Sequence, residues 1–96
     1  MSPIKKKELN LLRIKLDKLD NELLKLIKKR SNLVNEVLKV KVYKKEIIDQ
    51  KRINYILQKI KRKSIKLGID PKITTRIWKN MIWSFIDYEK RNFRKK

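Results

Sequence analysis

A run of apolar residues at heptad spacing, Leu9, Leu12, Leu16, Leu19, Leu23, Leu26, Leu33, Val37 and Val40, skips one position, 30, and the residue there is arginine. Lys41 follows eleven residues after Arg30. On a helix that separation is three turns, so the two cations share a face about 16 Å apart. Arg13 sits beside the seam near its other end, on the order of 40 Å from Lys41 along one helix axis. Arg52 stands next to Ile53 and four residues before Ile56. Glu89 falls four residues after Phe85 and seven after Ile82, so a carboxyl occupies an apolar helical stripe. Taken singly, each has a plain structural explanation. Arg30 can set register in a coiled coil. Glu89 can pair with a cation, and Arg13 can be a solvated flank. Together they direct several cations and one carboxyl toward a helical interior, where unpaired charge is very costly. Acidic partners are few, because 29 Lys+Arg face only 10 Asp+Glu. An anionic ligand is the economical compensation.

The elements that must hold these residues are helical. The heptad pattern predicts one long helix over Ile4–Tyr43, with no internal Pro or Gly past its first turn. Such a helix is on the order of 55–60 Å long, whereas a compact globule of this chain length has a radius of gyration of about 12–13 Å. Its seam therefore needs a partner, and the simplest is a second copy of the chain. A short linker is expected over 44–48. Asp49 suits the N-cap of a second helix with Ile53, Ile56, Leu57 and Ile60 on its apolar face. In "KLGIDP", Gly68 suits a C′ position, Asp70 an N-cap and Pro71 the first turn of a third helix. That helix carries Ile73, Ile77, Trp78, Met81, Ile82, Phe85 and Ile86 and is expected to end near Asn92. The expectation is an all-α fold, a single domain over residues 1–96 with three helices and a long first one. Two copies would form a helical homodimer. Arg13 cannot reach Arg30 and Lys41 within one straight helix, but it can from an antiparallel partner helix. Two equivalent sites would result, each completed by Arg13 of the other chain.

Composition narrows the chemistry. The chain has 96 residues, which bounds it to one small core. It has no Cys and no His, so thiolate chemistry, disulfides and the commonest general base and metal ligand are excluded. Gly68 is the only glycine, which excludes phosphate-cradling glycine loops. No cofactor and no metal are expected. The opening "MSPIKKKELN" has no apolar core of a signal peptide, and no apolar run approaches the ~20 residues of a membrane span. A cytoplasmic protein is expected, with no membrane partner. The net charge of +19 permits nucleic-acid binding through counterion release. Lysines are spread over faces that should be solvated, however, which reads as compositional bias. The special cations lie in the seam and not on an outer stripe.

With these residues in place, the sequence resembles the all-helical chorismate mutases and their relatives, the isochorismate-pyruvate lyases. "LRIKLDKLDNELLKLIKKR" is similar to the first-helix signature of that family, "IIDQKRINYIL" to its second-helix motif, and "LGIDPKITTRIWKNMIWSFIDYE" to its third-helix block. The resemblance implies an enzyme of the shikimate pathway, an intertwined dimer with two active sites, and rearrangement of the dianion chorismate to prephenate. It implies that Arg13 is supplied by the partner chain and that Arg30 binds a substrate carboxylate. Lys41 would contact the ether oxygen and a carboxylate. Arg52 would lie near the ring, and Asp49 would begin the motif whose backbone meets the substrate hydroxyl. Glu89 would face the ether oxygen from the third helix. Two positions depart from the commoner mutases. Ile53 stands where they have Glu, and Phe85 where they often have Ser. The segment from Lys41 to Arg52 is also one residue short. The isochorismate-pyruvate lyases share all three features, as do some bacterial mutases, so the lyase stands as the alternative. A basic helical nucleic-acid-binding dimer stands as a second. "DQKRI" is closer to the mutase-type second helix and favours the mutase.

Overall fold

The computed structural model describes residues 2–94. In chain order its elements are α1 (Pro3–Val40), a one-turn 3-10 helix (Lys44–Ile47), α2 (Gln50–Lys66) and α3 (Pro71–Asn92). The fold is all-α, with three α-helices of which the first is the longest. By its contacts the chain divides into two compact units, Met1–Leu33 and Val34–Lys96.

The first unit is the greater part of α1. Ser2 starts it: its hydroxyl accepts from the Lys5 N–H at 3.2 Å and its carbonyl from the Lys6 N–H at 2.9 Å. Pro3 takes the first helical position, where its missing N–H leaves no bond unmade. Leu12, Leu16, Leu19, Leu23, Leu26 and Leu33 are each more than half exposed in the single chain. No residue of α1 is buried.

The second unit holds the end of α1, the 3-10 helix and the α2–α3 hairpin. α1 stops at Val40, three residues before the expected end. The Lys41 N–H still reaches the Val37 carbonyl at 3.3 Å, but the next two amides turn away to the Glu46 carboxylate. Within the turn Ile47 is buried. What was expected as a plain linker is thereby wound into a 3-10 turn.

The remaining boundaries fall where cap chemistry puts them. The Asp49 carboxylate accepts from the Arg52 N–H at 3.0 Å and opens α2. α2 closes on Gly68 at φ +72°, a left-handed value that glycine adopts without strain. The Ile69 N–H returns to the Ser64 carbonyl at 2.8 Å and the Gly68 N–H to the Ile65 carbonyl at 3.1 Å, the paired bonds of a Schellman ending. Asp70 then caps α3 through the Lys72 N–H at 2.9 Å, with Pro71 in the first turn.

α2 and α3 run antiparallel. Near their connection the Ser64 and Thr74 hydroxyls meet at 2.6 Å. Toward the far end Ile53 joins Ile82 and Ile86, with Ile47 of the 3-10 helix completing the buried set. Leu38, Ile56, Leu57 and Phe93 pack around it. Tyr88 of α3 donates to Asn35 of α1 at 2.8 Å, so the end of α1 is held at the same place.

Candidate active site

The second unit brings two of the sequence-selected residues together. Lys41 Nζ lies 3.2 Å from Glu89 Oε1 and 3.5 Å from Oε2. Their side chains are 17% and 7% exposed, so this is a nearly buried ion pair. The two residues lie at opposite ends of unit 2 in sequence, and the packing of Ile47 against α3 brings them together. Glu89 sits on the buried stripe of α3 that also presents Ile82 and Ile86. A carboxyl among isoleucines is tolerable there because Lys41 compensates it.

Lys41 also lines a groove of about 420 Å³ with Glu46, Ile48, Asp49, Gln50 and Lys51. Both carboxylates in this wall are engaged with backbone amides. Glu46 Oε1 accepts from Val42 N–H at 3.2 Å and Tyr43 N–H at 2.8 Å, and Asp49 caps α2. Their negative charge is thus directed at N–H donors of the wall. Among the described residues no group of carboxylates is placed to hold a metal ion.

The other candidates are placed as follows. Arg52 is exposed on the first turn of α2, its guanidinium 5.3 Å from the centre of the Tyr55 ring. Ile53 is a core residue. The position where commoner mutases have Glu is therefore filled here by an apolar side chain that helps seat α2 on α3. Phe85 is partly buried one turn before Glu89. Arg13 is exposed on α1, and Arg30 is partly buried on the same helix. Both arginines belong to the first unit. Sequence reasoning passed over Glu46 and the Tyr88–Asn35 bond. An acid three residues after Tyr43, in a stretch otherwise rich in lysine, was the available signal for the first. The second had none.

A family model described as chorismate mutase type II matches residues 12–90. The chain belongs to the chorismate mutase type II family. The matched stretch takes in every candidate residue from Arg13 to Glu89. Comparison with curated proteins and with solved structures gave no match. Family membership makes the chain an enzyme, an isomerase whose reaction is the conversion of chorismate to prephenate. The substrate is accordingly a small molecule of the chorismate kind.

Proposed function

We propose that the chain catalyses this rearrangement as a homodimer, at two sites each built around Lys41 and Glu89 of one chain. The observation that carries the placement is the nearly buried Lys41–Glu89 pair at the edge of a groove. A pericyclic shift needs no nucleophile, metal or general base. It needs the dianion held in its compact diaxial form and donors placed where the ether oxygen gains negative charge. An ammonium has three N–H donors, and the pair with Glu89 leaves at least one for the substrate. In this reading Lys41 meets the ether oxygen and a carboxylate, and Glu89 faces the ether oxygen from α3. Arg30 binds one carboxylate by bidentate pairing, and Arg13 of the partner subunit binds the other. Arg52 lies along the ring. The backbone after Asp49 meets the ring hydroxyl, since Ile53 offers no polar atom there. Phe85, one turn before Glu89, gives the site an apolar wall, and Ile53 supports it from the core.

Dimerisation is supported by the bare face of α1. Two α1 seams laid antiparallel would bury the leucines that one chain leaves exposed and would carry Arg13 to the other chain's Arg30. The +19 charge is read as background to this function, with no specific nucleic-acid partner.

Purified protein incubated separately with chorismate and isochorismate tests the reading. Prephenate from chorismate, with little pyruvate or salicylate from isochorismate, is the expected result. Salicylate and pyruvate as the faster products would replace the mutase by the lyase.

A further inference from the structure

We propose that Glu46 is a positioning residue for Lys41: its carboxylate ties down the turn that follows Lys41 and so fixes where the ammonium is held. For its kinetic consequence the inference rests on the site proposed above. α1 ends at Val40, so Lys41 has helix on one side only. The next two amides, of Val42 and Tyr43, both donate to one atom, Glu46 Oε1, at 3.2 and 2.8 Å. The Glu46 N–H returns a bond to the Tyr43 carbonyl at 3.0 Å. Three hydrogen bonds thus close a loop immediately after Lys41. Two of them are charge-assisted and so roughly twice as strong as neutral ones.

The lock is anchored at its other end. Ile47, the residue after Glu46, is buried with Ile82 and Ile86 of α3, the helix that carries Glu89. The chain path runs from Lys41 through the two amides to Glu46, then through Ile47 into α3. Both members of the Lys41–Glu89 pair are therefore referenced to the same helix. Lysine is a long, flexible side chain with little intrinsic preference for one pose. Its backbone must be fixed if its ammonium is to meet one substrate atom, and a misplacement of about 1 Å can cost as much as 10²-fold in rate. Glu46 and Ile47 perform that fixing from a segment that otherwise reads as a lysine-rich connection. Glutamine has a carbonyl oxygen at the same place and can accept the same two bonds. Alanine cannot.

The test compares Glu46→Gln and Glu46→Ala in the full-length protein. Amide hydrogen exchange at Val42 and Tyr43 reads the lock without reference to activity. Steady-state kinetics with chorismate, in the parent and in a Lys41→Ala background, read its consequence. Glu46→Ala should speed exchange at these two amides while Ile53 and Ile86 in the core stay protected. It should lower kcat by about 10- to 100-fold with far less effect on KM. Glu46→Gln should keep the protection and most of the turnover. In the Lys41→Ala background Glu46→Ala should add little, because the two residues act as a unit. Unchanged exchange at Val42 and Tyr43 overturns the proposal. So does a Gln variant as damaged as the Ala variant, an undiminished loss without Lys41, or loss of protection through the whole core. If the parent does not turn over chorismate, the functional reading falls, and the two amides still decide for or against the lock.

Discussion

Glu89 was visible in the sequence as a charge where the helical pattern asks for an apolar residue, and Lys41 as a cation three turns from Arg30 on the same face. Their pairing at 3.2 Å is what the fold adds. An ionised carboxylate only accepts hydrogen bonds, so Glu89 can donate to an ether oxygen only in its protonated form. Glu89→Gln carries an amide N–H donor at the same place and should keep substantial turnover. Glu89→Ala removes the donor and should lower kcat by about 10²–10³, or ~2.7–4 kcal/mol, as for one oxyanion-hole donor. Turnover of the parent and of both variants decides the point: a Gln variant as slow as the Ala variant would remove Glu89 as a donor to the ether oxygen. Glu46 was not legible in the same way. A single acid in a short non-periodic segment has no pattern to stand out from, and its role depends on where α1 happens to stop. Ile53 was legible on the apolar face of the second helix and as a departure from the commoner mutases, and the fold adds its partners Ile47, Ile82 and Ile86.

At the scale of elements, the boundaries that rest on local chemistry were readable and the one that rests on tertiary packing was not. Asp49, Gly68, Asp70 and Pro71 each sit at the cap position their residue type suggests. The end of α1 is different. Residues 41–43 continue the helical pattern acceptably, and only the burial of Ile47 and the pull of Glu46 on two amides end the helix at Val40. The Gly68 corner offers a clean measurement of local contribution. A Cβ there would meet nothing within 4 Å, so Gly68→Ala carries only the backbone cost of φ +72°. Stability should drop by about 1–2 kcal/mol, read from the denaturant midpoint at fixed protein concentration, with kcat unchanged in the folded protein. A neutral or stabilising result would mean that the hairpin turn relaxes to a different ending without loss.

For the whole molecule, charge and exposed apolar surface make opposite demands. Twenty-nine cations against ten acids would keep copies apart, while in the proposed dimer the exposed leucine face of α1 would draw them together. Repulsion between exposed charges is screened beyond about 10 Å at 0.1 M salt, and burial of apolar surface is not, so association should hold at moderate ionic strength. If the charge is background, binding to duplex DNA should be weak, independent of sequence and lost by moderate salt. Binding that survives physiological salt and prefers one sequence would assign the basic surface a role. In the proposed site, Arg13 of one subunit acts with Arg30, Lys41 and Glu89 of the other. Arg13→Ala and Arg30→Ala homodimers should each be nearly inactive. Unfolded together in equal amounts and refolded, they form heterodimers as half of all dimers, each with one intact site of two, so about a quarter of the parent activity should return. No recovery, in a mixture where heterodimers are shown to have formed, would contradict the shared site.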